Sequence, residues 1–340
     1  MTELKCAGGD IFFPMAAKKL ADVYNMHVTV VKVSTFDVKN YDKLKELDCF
    51  WPGSATAYLD FDAVHHDMIL DHETEFRTFA MFFTRRDIFL PDLLKYRVVN
   101  QQPDGRYIMK MYPSLMAMKA HETWAQFLSE QAKANGIPFT EADWMKLKVN
   151  VQYSAPEDSS GGLQTLFLMA NYLVPGGQDG GLVVTKEDLP GIMPFLIDNW
   201  NAQPLQDKRS PDWFNTYLGK SGSIPLAASS ESLYIGWANA LAPANKASAK
   251  LIVGIYPEYT VSTDHVLIAF TKPAVQLVNI FRTDKELQQL AWSQFGMRTV
   301  AGGIGAKPGD SSYSIIAADP LAVGEPKLDV FEEVKKFIHH

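Results

Sequence analysis

Cysteine is nearly missing: Cys6 and Cys49 are the two in 340 residues. Two are too few for a disulfide framework or a zinc cluster. A pair of buried thiols is the expected reading, with one bridge open if the chain is exported, because pairing depends on a Cα separation that sequence does not give. No apolar run approaches the length of a membrane span. Lys and Arg never gather into a block, and the net charge is a modest −7. Together these exclude general binding to nucleic acid or anionic lipid. The start, MTELKCAGG, lacks the charged and apolar regions of a signal peptide. Either the chain is cytoplasmic or it begins behind a removed signal. G-x-S-x-G, a Walker loop, H-E-x-x-H and a placed Cys-His pair are all missing, so no cofactor is expected. There is no internal repeat and no low-complexity tract.

What remains is globular: 47% of residues are hydrophobic and 21% charged. A chain this long usually divides into two domains. The first hundred residues alternate strand and helix. Leu4 to Ala7 is an apolar run ending in Gly8-Gly9. A helical face follows through Ala16, Ala17, Leu20, Ala21 and Tyr24, and His27 to Val33 is β-branched. A short helix through Tyr41 and Leu44 then leads to Cys49-Phe50-Trp51. This alternation predicts βαβ units and a mostly parallel sheet, with ligands beyond the carboxyl ends of its strands. Those ends are Gly8-Gly9-Asp10 and Trp51-Pro52-Gly53-Ser54.

The middle of the chain changes texture. A strand is expected within Glu75 to Thr84, a long helix over Ser114 to Lys133, and a strand at Leu147 to Val151. SAPEDSSGGLQT then opens a helix whose apolar positions Leu163, Leu166, Phe167, Ala170, Leu173 and Val174 define one buried face. Strands are expected at Ile224 to Ala228 and Leu251 to Tyr256. The regular style then returns, with a strand at Val266 to Phe270, a helix over Lys272 to Phe281, and a capping box at Thr283 and Glu286 opening a helix that Gly296 stops. A last amphipathic helix carries Phe331, Val334, Phe337 and Ile338.

Ile255 to Thr299 carries Tyr256-Pro257, Asp264-His265, Lys285-Glu286-Leu287-Gln288-Gln289-Leu290 and Gly296-Met297-Arg298-Thr299. In that order these resemble the closing segment of type II periplasmic solute-binding proteins of ABC transporters. The family's His-Pro and Phe-Arg-Pro elements are broken here. DCFWPGSATAYL is similar to the family's third strand and following loop, and SAPEDSSGGLQT to its Ser-x-Ser-Gly element. The resemblance implies an α/β fold of two lobes, with mixed, mostly parallel sheets flanked by helices and crossing hinge strands between them. Residues 1–82 and 268–340 would form the first lobe and 83–267 the second. It also implies a periplasmic or extracellular monomer that delivers a small ligand to a membrane permease, without catalysis.

The candidate ligand-binding residues follow from both readings. Ser159, Ser160 and Gly161 stand at a helix start, where unpaired N–H groups and the dipole attract anions, although a capping serine explains the same pattern. Gly9, Asp10, Trp51, Gly53 and Ser54 are the facing loops. In the resembled family, oxyanion binders place Ser or Thr after the first strand. GGDIFF departs from that and, with Trp51, favours an organic ligand or a weakly charged anion. Glu231 and Tyr256 are further candidates, the one as an acceptor and the other beside a crossing strand. The competing site is His65, His66 and His72 in the acidic segment from Asp60 to Glu75, which would suit a metal-dependent enzyme. Its spacing matches no ligand pattern, and a solvated face explains it. A sensor that serves no transporter is the third alternative.

Overall fold

The computed structural model describes residues 1–9, 12–120, 122–177, 182–205, 207, 209–241, 243–299 and 320–338. The first elements follow the alternation read from sequence. β1 (Thr2–Gly8) leads through α1 (Phe13–Tyr24) to β2 (Met26–Val31), and β3 (Cys49–Trp51) adds to the other edge of β1, both pairings parallel. Helix α2 (Ala55–His65) starts at Ser54, whose side chain accepts from the Ala57 N–H. The short helix expected at Tyr41 and Leu44 is two 3₁₀ turns, Val38–Asn40 and Leu44–Glu46.

β4 (Asp71–Arg85) then runs fifteen residues. After it come α3 (Leu90–Lys95), β5 (Val99–Gln101), β6 (Tyr107–Met109), α4 (Met111–Ala120), α5 (Trp124–Ala134), α6 (Ser160–Leu173), α7 (Leu189–Asn201) and α8 (Ser210–Lys220). β7 (Ala227–Ser230), α9 (Glu231–Ala240), α10 (Lys246–Leu251) and β8 (Ile252–Pro257) complete this part. The chain returns through β9 (Thr260–Ala269) to α11 (Lys272–Thr283), α12 (Lys285–Phe295), β10 (Arg298–Thr299), β11 (Ala322–Val323) and α13 (Leu328–Ile338).

Two long strands carry the architecture. β4 pairs antiparallel with β9 from Asp71 to Phe79, then with β7 from Ala80 to Phe83 and with β8 from Phe82 to Arg85. β4 thus leaves one sheet and enters another, and β9, which also pairs with β3, runs beside it. The first sheet joins the parallel β1–β2 and β1–β3 pairs to antiparallel β3–β9 and β4–β9, and the second joins antiparallel β4–β7, β4–β8 and β5–β6 to the parallel β6–β8 pair, so both are mixed and the fold is α/β and two-lobed. Each lobe has its own core. Phe12, Phe13, Trp51, Phe76 and Phe281 pack together under α1, α11 and α12 in the first. Trp124, Phe127, Leu166, Phe167 and Leu196 belong to the second, larger core around α5, α6 and α7. Burying each such side chain is worth about 1.5–3 kcal/mol.

α6 departs from the single buried face expected of it. Every residue from Gly161 to Tyr172 is buried, so its polar side chains must find partners inside the protein. Thr165 donates to the Gly161 carbonyl at 2.9 Å, and Asn171 accepts from the Val184 N–H at 2.8 Å.

Four other expectations are corrected. The helix over Ser114 to Lys133 is two helices, because Thr123 and Gln126 form a capping box that starts α5 anew. Leu147 to Val151 is no regular strand: Lys148 makes one isolated bridge, to Thr123. The cap of α12 is Asp284, which accepts from the N–H groups of Glu286 and Leu287, while Thr283 turns back to the Asn279 carbonyl. Cys6 and Cys49 are not thiols but a disulfide. They are register partners on adjacent parallel strands with Cα atoms 4.6 Å apart, within the span a bridge needs. Among the described residues no helix is long and apolar enough to cross a membrane.

Candidate functional site

A cleft with a volume of about 120 Å³ lies where loops of the two lobes meet across β9. Its walls are assembled mainly from helix starts. α1 contributes the approach to its first turn through Gly9 and Phe12. α6 contributes Ser159, Ser160 and Gly161, α8 contributes Arg209, Ser210 and Pro211, and α9 contributes Ser230, Ser232 and Leu233. Gly53, just ahead of α2, closes the ring. Each helix start presents N–H groups without intrahelical acceptors and the positive end of the dipole, equivalent to about half a charge.

Local sequence explains why the backbone comes so close. Gly8 and Gly9 hold φ of 72° and 66°, in the left-handed region. A Cβ on Gly8 would stand 2.2 Å from the Trp51 carbonyl oxygen. On α6 the Ser159 hydroxyl caps the Gly162 N–H at 3.3 Å and belongs to a triangle with Ser154 and Ser210, with Ser154 at 2.9 Å from Ser159 and 3.1 Å from Ser210. The triangle ties the cap of α6 to the start of α8. A Cβ on Gly162 would fall 2.2 Å from the Ser154 carbonyl oxygen, so only glycine fits that turn.

The cleft is nearly charge-balanced in its side chains. Arg209 and Asp158 both line it, and Arg209 also reaches Asp212 at 3.7 Å. His265 on β9 lines it as well. Burial pushes its imidazole down to about 4, with Asp264 pulling the other way, so it is neutral at pH 7. With the side-chain charges balanced, the partial positive charge of the helix starts is what favours an anion there. Phe12, Trp51, Pro211, Leu233 and Met297 supply apolar wall. At the mouth of the cleft the Ser34 hydroxyl donates to the Asp158 carbonyl at 2.9 Å, and Gly53 lies so close to Ser160 that a Cβ on it would be 2.8 Å from the Ser160 Oγ. The two walls are thus in contact at the mouth.

Of the ten residues singled out from sequence, Gly9, Trp51, Gly53, Ser159, Ser160 and Gly161 line the cleft. Asp10 lies outside the described residues. Ser54, Glu231 and Tyr256 are placed elsewhere. Ser54 is buried and donates at 2.9 Å to Glu325, whose carboxylate also accepts from the Thr56 N–H at 2.8 Å, the Thr56 hydroxyl at 3.0 Å and the Thr263 hydroxyl. Glu231 is fully buried, paired with Arg298 and accepting from the Tyr256 hydroxyl at 2.6 Å. The Arg298 guanidinium in turn lies 4.6 Å from the centre of the Phe79 ring. These three side chains serve the walls behind the cleft.

Sequence reading missed Gln164, Arg209, Ser210 and His265 as cleft residues, and touched Phe12 only through GGDIFF. Gln164 carried a usable signal, since it lies one helical turn beyond Ser160 and shares its face. Arg209 and Ser210 had only Pro211 to announce a helix start. The acidic segment gathers no metal site: among the described residues no group of three or more His, Cys, Asp or Glu side chains could hold an ion. His65 bonds the Lys39 carbonyl at 2.7 Å, His66 bonds Asp62 at 2.7 Å, and His72 bonds the Tyr58 hydroxyl at 3.1 Å.

No family model matches the chain, and no curated protein matches it significantly. Solved structures do. The chain is similar to the sulfate-binding protein SubI from Mycobacterium tuberculosis, at 12% identity over 99% of both chains with a TM-score of 0.57. It is similar to the periplasmic binding protein AfuA from Actinobacillus pleuropneumoniae, bound to exogenous fructose-6-phosphate, at 12% identity over 99% of this chain and 96% of that one with a TM-score of 0.56. It is also similar to a ferric binding protein from Campylobacter jejuni, at 10% identity over 100% of this chain and 98% of that one with a TM-score of 0.61. At such identities the likeness establishes the fold, that of the two-lobed periplasmic binding proteins.

Proposed function

We propose that this protein is the solute-binding component of an ABC importer and that its cleft captures a small organic acid. The first lobe comprises residues 1–82 and 268–340, the second 83–267, and they close by bending β4 and β9. The observation that carries the reading is the convergence of helix starts on one cleft whose side-chain charges nearly cancel. Such a site attracts an anion of low charge. Phe12 and Trp51 add apolar surface that a bare oxyanion does not use, which favours an organic ligand. An apolar cavity of 150 Å³ holds benzene, so about 120 Å³ suits roughly five or six non-hydrogen atoms.

Closure needs no covalent step. Ligand contacts made by both walls exist together only in the closed form, so binding shifts the population towards it. The closed form then docks on a membrane permease in the periplasm. The Cys6–Cys49 disulfide fits an oxidising compartment, and among proteins of similar fold SubI is a sulfate-binding protein and AfuA a periplasmic binding protein seen with exogenous fructose-6-phosphate bound.

Native mass spectrometry of the purified protein, followed by thermal-shift screening with small organic acids, tests this. A ligand at one hundred times its Kd adds about 2.7 kcal/mol. With an unfolding entropy of about 0.7 kcal/mol/K for 340 residues, that is a rise of about 4 °C. Arg209→Gln should weaken the response. A melting temperature that no acid moves, or that responds only to cations or neutral sugars, refutes the reading.

A further inference from the structure

Gln164 lines the cleft and is 1% exposed. Its side-chain Nε2 donates to the Val261 carbonyl on β9 at 2.9 Å. A carbonyl oxygen only accepts, so this bond fixes which end of the amide faces β9. The other end, Oε1, is a buried acceptor with no hydrogen-bond partner. Trp51, on the opposite wall, has the complementary shortage: its indole Nε1 is a buried donor without a partner. His265 carries a third unpartnered polar atom, Nε2. Buried polar groups in folded proteins are almost always hydrogen-bonded, and an exception that borders a cleft calls for a partner such as a water, an ion or a ligand.

These atoms do not ask for the same thing. A bare oxyanion offers acceptors only. It can satisfy the Trp51 indole, the helix N–H groups and Arg209, but it leaves the Gln164 oxygen unpaired. We propose that the ligand of this cleft carries a hydrogen-bond donor, a hydroxyl or amino group, besides its acid group, and that Gln164 reads that donor. The proposal rests on the small-acid reading above and narrows it to hydroxy or amino acids over bare oxyanions and simple alkanoates. Asp158 works in the same direction, since its carboxylate repels a bare anion and accepts from a hydroxyl or ammonium group. A buried acceptor left unsatisfied corresponds to a loss of about 5- to 150-fold in affinity.

The test is isothermal titration with matched acids: lactate against propionate, glycolate against acetate, alanine against propionate, and sulfate as the bare oxyanion. The hydroxylated or aminated member of at least one pair should bind about 5- to 150-fold tighter than its partner on the native protein. Gln164→Met should bring that pair to parity, whereas Trp51→Phe should weaken both members and leave their ratio unchanged. The ratio on the native protein stands even where a variant fails to fold. Equal affinities within every pair, or sulfate tighter than every hydroxy and amino acid, overturn the proposal while leaving the acid-binding reading intact. No binding of any acid, sulfate included, removes that reading and this inference with it.

Discussion

Asp284 gives the cleanest quantitative test of how the first lobe holds its wall of the cleft. Its side chain is 6% exposed, and its carboxylate gathers four donors: Lys19 Nζ at 2.8 Å, the Tyr24 hydroxyl at 2.6 Å, and the N–H groups of Glu286 and Leu287 at 2.8 and 3.0 Å. One group thereby caps α12 and anchors the far end of α1, whose approach loop borders the cleft. Burial alone would raise its pKa, but the hydrogen bonds from Lys19, Tyr24 and the two backbone groups outweigh it and hold the carboxyl at about 2, against 3.8. A depressed pKa means the unfolded chain binds the proton more tightly. The stabilisation is thus fully present above pH 4 and is lost as pH falls from 4 through 2. Its size at neutral pH is about 2 kcal/mol, or about 3 °C on an unfolding entropy of about 0.7 kcal/mol/K. Asp284→Asn keeps a carbonyl for the helix cap but abolishes the charge. Thermal unfolding by circular dichroism should show the variant about 3 °C below the native protein at pH 7, with the gap closing as pH approaches 2. The same gap at pH 7 and pH 2.5, or none at pH 7, would refute the assignment of that energy to the charged network.

Two further outcomes are expected. Reducing the Cys6–Cys49 bridge, or replacing both residues with Ala, releases a loop of 43 residues and should cost about 4 kcal/mol by loop entropy, read as a drop of about 6 °C in melting temperature; an unchanged Tm would show that the two strands need no covalent tie. Gly53→Ala places a Cβ at 2.8 Å from Ser160 Oγ, and pushing that serine off its rotamer costs about 0.5–1.5 kcal/mol in the closed form. Titration with the acid selected by the thermal-shift panel should then show affinity about 2- to 10-fold weaker, mainly through faster release, and an unchanged affinity would mean that the two walls do not meet there.

The parts of the fold legible in sequence are those where local pattern and tertiary role agree. β2 is β-branched because it packs at the sheet edge, and α12 ends at Gly296 because the chain needs φ of 65° there. Six cleft residues were legible for the same reason, as glycines and serines at strand ends and helix starts. The rest depended on distant partners. Ser54 looked like a ligand contact, and its partner is Glu325, 271 residues away. Glu231 looked like an acceptor for the ligand, yet Arg298 and Tyr256 enclose it. No periodicity shows that Gln164 has its amide nitrogen committed to β9, because that commitment exists only once β9 is beside it. Helix capping was misassigned at Thr283 because Asp284, one residue on, draws Lys19 and Tyr24 as well.

The Glu325 carboxylate on the start of α2 also sets an order of assembly. Ser54 and Thr56 leave the ribosome long before their acceptor: at about 5–20 residues per second, the wait is roughly 15–55 s. β3 waits for β9 in the same way, and Lys19 for Asp284. The wall of the cleft built by the beginning of the chain therefore stays incomplete until the end arrives, and the other wall waits too, α6 for the bond of Gln164 to Val261 on β9 and α7 for α13 to pack against it. A chain stalled or clipped before residue 325 retains most of its hydrophobic core but lacks the acceptor at α2.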